Sequence, residues 1–496
     1  MRKAIIPTNS ITRRDFLGGA AGVLAAPWLR PSGARAQVVP EPGERQKIEA
    51  AIPTKAIAAP CKPRKLLIFD LNVGYRGHRS ISTCNLAFTL MGEKTGAFQT
   101  VISREPSIFK AESLSQFDAV FLNNTVGNLF EDPTLRQNLI EFVYSGGGLM
   151  GVHGTSVAFT KWPGAIEDWP EFAVCLGARG ANHRASDEHV FIKLDDPTHP
   201  VNQAFAGQGF DYRDEFFRVH EPYSRNRVRV LLSIDTEKTD LRQGPAYGKL
   251  ERADNDYALA WVRQYGRGRV FYCTIAHNPY VFWDPKMLQF YLAAAQFVLG
   301  DLPAPTTPSA RLTPAIRAQE QIGWRLGLTP PRVSNVTLFE TIDKAAELGL
   351  LYIGGSSRQT VGREIPKSFD WHLDGDELRQ IRLKLDAAGV RLLTYSVGPM
   401  PSDETGCRRV SDFARKMGIE ALIAEPTGGS PDAIEKLPND AGKIEPLLKE
   451  IRRRGVRPTM FGVEYVPEQS GSTRGIIQSI DIFNKVSIQL AKRGEQ

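Results

Sequence analysis

The run Ser145-Gly-Gly-Gly-Leu-Met-Gly-Val-His-Gly-Thr-Ser156 sets a histidine where α/β folds do their chemistry. Leu135 to Tyr144 have a helical pattern, and Gly146 to Gly148 end it because glycine takes positive φ at little steric cost. Leu149 to Val152 then read as a buried parallel strand, with Gly151 and Gly154 flanking His153 at its carboxyl end. Ligands and catalytic groups gather at that end of such sheets. The turn has the form of a nucleophile elbow, but a histidine there suits acid–base or polar contact rather than acyl transfer.

Seven of the eight histidines fall between residues 78 and 277: His78, His153, His183, His189, His199, His220 and His277. Imidazole is the usual acid or base near neutral pH and a common metal ligand. His78, His153 and His277 each follow an apolar strand pattern, so their loops are expected to meet at one sheet edge. Asp214 and Glu215 precede Phe216-Phe217. In a strand adjacent side chains face opposite ways, so one acid at most is expected to face a given pocket. Asp195 to Pro200 read as a structural turn. The candidate catalytic residues are His153, Asp214 and Glu215; the candidate substrate-binding residues are His78, His183, His277 and Trp283. Trp162 and Trp169 are further rings that could stack on a sugar or fill the core. No H-E-x-x-H, G-x-S-x-G or P-loop is present, so no cofactor is called for and a divalent metal is left open.

The elements that must position these residues form two β/α segments. Between 63 and 301, strands are expected at Leu66–Phe69, Asp118–Leu122, Leu149–Val152, Val228–Leu232, Ala258–Arg263 and Arg269–Thr274, with a closing helix over Met287–Leu299. A turn at Tyr265 to Gly268 joins two of them as a hairpin, which adds an antiparallel edge to a parallel sheet. Residues 302–318 are a Pro-rich linker. From 319 to 496 the rhythm is β then α, five times over. A closed eightfold barrel takes about 250 residues, so this stretch is too short to close one.

The net charge of +7 does not point to nucleic acid, because residues 1–36 alone carry +5. Those residues read as a twin-arginine export leader: Arg13-Arg14-Asp15-Phe16-Leu17, a short apolar stretch, and Ala34-Arg35-Ala36 as the cleavage site. Residues 37–62, rich in Pro and Ala, are expected to be a flexible leader. The mature chain is then expected in the periplasm, with no stable membrane anchor. Five cysteines without C-x-x-C spacing argue against a disulfide framework, although one bridge would be tolerated in that compartment.

Tyr75 to Ile81, Gly146 to Gly154, Asp196 to Pro200, Asp214-Glu215-Phe216 and Gly266 to Tyr272 with His277 together resemble the ThuA-like (trehalose utilisation) family over residues 63–301. The resemblance implies a flavodoxin-like sheet, as in class I glutamine amidotransferases, with His153 where those enzymes carry cysteine. Glutaminase activity is therefore not expected, and a link to carbohydrate metabolism is. Residues 319–496 resemble the sugar phosphate isomerase/epimerase (xylose isomerase-like) barrels through Gly323 to Gly327, Leu338 to Gly349 and Phe461 to Tyr465. That likeness implies metal carboxylates at Glu425 and Glu464, a set lacking its other ligands. The fold expected is thus α/β, a flavodoxin-like domain followed by an incomplete (β/α) barrel-like domain. The function expected is binding or conversion of a saccharide, an oxidised or keto sugar included. The alternatives are a non-catalytic sugar-binding or scaffold protein, and a sugar isomerase acting through the second domain, completed by a partner chain. Small saccharides are the expected partners, and an oligomer is allowed.

Overall fold

The computed structural model describes residues 40–330, 335–398, 401, 403–424, 434–436, 446, 460–464 and 472–492. Helix α1 (Glu44–Ala51) lies within the stretch read from composition as a flexible leader. It is docked because Ile48 and Ile52 share one face and are buried in the first core, while Glu44 accepts from Thr83 Oγ1 at 2.8 Å. Burying Ile48 is worth about 2 kcal/mol. Residues 57–58 are pinned as well, since buried Gln296 Oε1 accepts from both of their backbone N–H groups.

The first sheet has nine strands: β1 (Lys65–Phe69), β2 (Gln99–Ser103), β3 (Ala119–Asn123), β4 (Gly148–Val152), β5 (Glu188–Leu194), β6 (Phe210–Asp214), β7 (Arg229–Ile234), β8 (Ala258–Tyr265) and β9 (Gly268–Cys273). Their order is β6-β5-β7-β8-β9-β4-β3-β1-β2. The pairs from β2 to β9 are parallel and those from β9 to β6 antiparallel, so the sheet is half crossover-wound and half meander. Apolar runs such as Leu66–Phe69 and Ala119–Leu122 are buried on both faces, as parallel strands require. Helices α2 (Ser80–Thr95) and α5 (Pro285–Leu299) cover one face. Helices α3 (Pro133–Tyr144) and α4 (Pro170–Leu176) cover the other.

The segment read as a Pro-rich linker is partly helical, because Thr313 caps α6 (Pro314–Ile322) by accepting from Ile316 N. The second sheet contains β10 (Leu326–Thr329), β11 (Tyr352–Ser356), β12 (Arg391–Gly398), β13 (Ala421–Ala424), β14 (Ile434–Lys436) and β15 (Met460–Glu464). All its pairs are parallel, in the order β13-β12-β11-β10-β15-β14. That is the strand succession of a barrel wall with no β13–β14 pairing among the described residues. Helices α7 (Leu338–Glu347), α8 (Gly375–Ala388), α9 (Glu404–Lys416) and α10 (Ser472–Lys492) accompany it. Of the five β/α units expected there, residues 444–454 lie outside the described residues, apart from residue 446. Among the described residues no helix is long and apolar enough to cross a membrane, and all five cysteines are free thiols.

His199 has the structural role its turn suggested. Its Nε2–H donates to Pro305 O at 2.9 Å, and its Nδ1 accepts from Val201 N at 3.2 Å. Burial depresses this imidazole to about 4, whereas an unfolded histidine titrates near 6.5. As pH falls from about 6.5 to 4 the unfolded chain binds the proton first. Stability is therefore complete above about 6.5 and declines below it, by about 3 kcal/mol at pH 4. Urea unfolding at pH 7 and 4.5 is expected to show a loss smaller by about that amount in His199→Gln. Equal losses in the two proteins would rule the role out.

Candidate functional site

His153 leaves β4 at the start of a 3-10 turn (His153–Ser156), with φ 42°. A non-glycine residue in that region costs of order 1–3 kcal/mol and is held by its surroundings. Here the surroundings are explicit. Tyr272 Oη donates to His153 O at 2.8 Å, and Gly154 N donates to Asn124 Oδ1 at 3.1 Å. The turn can close because its flanks carry no Cβ. One on Gly151 would stand 2.8 Å from Thr155 Cγ2, and one on Gly154 would stand 3.1 Å from Asn124 O. The imidazole, fully buried, lies on the Phe217 ring with centroids 3.9 Å apart. Nδ1 is 2.8 Å from Thr274 O, which can only accept, so Nδ1 carries the proton and the Nε2 lone pair is free.

Nε2 faces Glu215 Oε1 at 3.4 Å and His277 Nδ1 at 3.3 Å. His277 Nδ1 is also 3.3 Å from Glu215 Oε1. The other carboxylate oxygen, Oε2, is 3.2 Å from His183 Nδ1. That same Nδ1 is 2.6 Å from Arg184 O, so its proton serves both acceptors and fixes the carboxylate. His78 completes the group, its ring 4.9 Å from His153 and 5.1 Å from His277. The buried His78 Nδ1 has no hydrogen-bond partner among the described residues. Among the described residues, His78, His153, Glu215 and His277 are the one group of at least three candidate ligands whose ligand atoms all lie within 4.8 Å of one another.

Charges follow from this packing. Desolvation would raise the Glu215 carboxyl, but the neighbouring imidazoles, His277 Nδ1 among them, outweigh burial and hold it well below the usual carboxylate range. Burial lowers His277 less than Glu215 raises it, so that imidazole titrates above its ordinary value. Desolvation drives His153 down and His78 far down, which keeps both neutral. The cluster is thus one fixed anion among imidazoles, open on the side where His78, His183 and His277 are only partly buried.

Asp214 and Glu215 are both buried, and at most one of them was expected to face a given pocket. Glu215 enters the cluster, while Asp214 turns to the neighbouring loop. Its oxygens accept from His277 N (3.1 Å), Asn278 N (3.1 Å) and Asn278 Nδ2 (2.8 Å). Burial pushes the Asp214 carboxyl up to about 7 despite these donors. Asp214 therefore positions His277 and does not reach the cluster itself.

Trp283 is placed elsewhere, half-buried on the first core with Lys47 Nζ 4.7 Å over its ring. Trp169 packs on Phe159 and Phe172. The rings beside the histidines are Tyr75, 5.1 Å from His78, with Trp162 5.6 Å beyond it, and the exposed Tyr247 stacked 5.1 Å from His183. Tyr75 and Tyr247 were not anticipated as site residues, since each lies in an irregular loop without periodic signal; the proximity of Tyr75 to His78 in the chain was the available clue. In the second domain Glu464 ends β15 and belongs to no such ligand group among the described residues, while Glu425 lies outside them.

A mixed α/β sheet with a buried histidine–carboxylate cluster at its carboxyl edge defines the class of the first domain. Residues 65–298 match the ThuA family, described as trehalose utilisation. Among solved structures, a ThuA-like protein of Bacteroides uniformis ATCC 8492 aligns with 19% identity over 49% of this chain and 94% of its own, at a TM-score of 0.40. A ThuA-like protein of Parabacteroides merdae ATCC 43184 aligns with 18% identity over 48% and 91%, at 0.33. A β-galactosidase of Rahnella sp. R3 aligns with 13% identity over 49% and 32%, at 0.31. A comparison with curated proteins found no match.

Proposed function

We propose that this chain binds and converts a saccharide, oxidised or keto forms included, at the His78–His153–Glu215–His277 cluster. The observation that carries the reading is the convergence of four separate chain segments on one polar cluster at the carboxyl edge of a sheet within the stretch that matches the ThuA family. A sugar hydroxyl can donate to the ionised Glu215 carboxylate, and a sugar carbonyl oxygen can accept from the His277 imidazole beside it. Tyr75, Trp162 and Tyr247 offer rings on which a sugar face can stack. His153 would meet the reacting oxygen, Glu215 and His277 would share or move its proton, and His183 would keep Glu215 in place.

A thermal-shift panel of mono- and disaccharides and their keto derivatives, trehalose among them, tests this. A ligand that binds only the folded state raises the melting temperature, by about 2.7 kcal/mol of stabilisation at a hundred times Kd. A selective rise is expected for at least one saccharide, and a flat panel counts against the reading.

The site is proposed to work outside the cytoplasm, carried there folded by the leader at Arg13-Arg14. Replacing both arginines with lysine is expected to move the protein from the periplasmic to the cytoplasmic fraction on fractionation. An unchanged distribution would remove the export proposal and leave the site untouched.

A further inference from the structure

We infer that His78, His153, Glu215 and His277 form a binding site for a divalent first-row transition ion of the zinc class, three imidazole nitrogens and one carboxylate oxygen holding it. The distances carry this. Zinc bonds of about 2.0–2.1 Å in tetrahedral geometry set ligand atoms about 3.3–3.4 Å apart. The three contacts among His153 Nε2, His277 Nδ1 and Glu215 Oε1 are 3.4, 3.3 and 3.3 Å, one face of such a tetrahedron. His78 brings a fourth ligand atom within 4.8 Å of the others, and its buried Nδ1 has no hydrogen-bond partner among the described residues. A buried imidazole nitrogen without a partner is costly unless something fills that place.

The surrounding bonds are those of a metal site's outer layer. The Thr274 carbonyl fixes the proton of His153 on Nδ1 and leaves Nε2 as a ligand. The His183 Nδ1 proton holds Glu215 Oε2, which turns Oε1 toward the imidazoles. Asp214 orders the loop that carries His277. Three nitrogens and one oxygen suit zinc, iron, cobalt or nickel, whereas magnesium and calcium favour sites built from oxygen. The site departs from the carboxylate pair that the barrel likeness suggested, since it lies in the first domain and its ligands are mainly histidines. If the saccharide reading holds, the ion would polarise a sugar oxygen at the open side; the binding site itself does not depend on that reading.

The test contains no sugar. Full-length protein stripped with EDTA is titrated with ZnCl2 against a fluorescent chelator, and bound zinc is counted by elemental analysis after gel filtration. One equivalent per chain is expected. Losing an outer-layer partner costs roughly 10- to 100-fold in metal affinity, so Glu215→Gln and His277→Ala, which remove direct ligands, are each expected to lose at least ~100-fold. His189→Ala, at an exposed histidine paired with Asp211, is expected to keep the full equivalent. Melting curves in EDTA establish that each variant is folded. Should one of them not fold, the other decides. Retention of less than about half an equivalent, or undiminished affinity in the folded ligand variants, overturns the site and identifies the cluster as a metal-free proton-sharing network. A chain that binds zinc but no saccharide would keep this inference and lose the saccharide reading; the converse result would do the opposite.

Discussion

Glu215→Gln is expected to cut saccharide affinity by roughly 10- to 150-fold, the worth of about 1.5–3 kcal/mol for hydrogen bonds to a charged group. The substitution keeps the side chain's shape and removes its charge. Glu215 is the anion that His153, His183 and His277 all face, so one change alters three of the cluster's polar contacts. His153→Ala would also abolish binding, but it deletes a fully buried ring packed on Phe217 and bonded to Thr274, and so costs stability as well. The isosteric change separates the two effects. An affinity lowered less than threefold in a folded Glu215→Gln protein would place the sugar elsewhere.

The largest stability effect is expected at Asp386→Ala. Asp386 lies on α8, where its two oxygens pair with Arg227 and Arg263 of the first domain. Arg263 is 3% exposed, and its guanidinium also donates to Val174 O. Removing the carboxylate would leave that charge buried without its counter-ion, a loss of about 3–5 kcal/mol. Glu404→Ala, which breaks an exposed helical pair with Arg408, is expected to cost no more than ~0.5 kcal/mol. Urea unfolding reads both. A loss below about 1 kcal/mol at Asp386 would show that the two domains do not rely on this pairing.

The first domain was legible where glycine and apolar periodicity act together. Gly146 to Gly154 marked the strand, the turn and His153, and strand ends located His78 and His277. The strands missed, Gln99–Ser103, Glu188–Leu194 and Phe210–Asp214, are short or half-exposed, and two of them form the meander's edge. Their stability comes from pairing with neighbours distant in sequence, which leaves no local pattern. The separate tasks of Asp214 and Glu215 were hidden for a related reason. Strand alternation says only that neighbours diverge, and β6 ends at Asp214, so Glu215 is free to turn into the cluster. Trp283 looked available because it follows His277 closely, yet the short 3-10 turn Pro279–Trp283 carries it to the side where α1 docks. That helix was itself obscured by the Pro and Ala around it.

The decisive measurement is a paired calorimetric titration of the best saccharide from the thermal panel into wild-type protein and Glu215→Gln. Saturable binding near one site per chain is expected in the wild type and at least tenfold weaker binding in the variant, with both proteins folded. Equal affinity in the two proteins would contradict the claim that this cluster is where the saccharide binds.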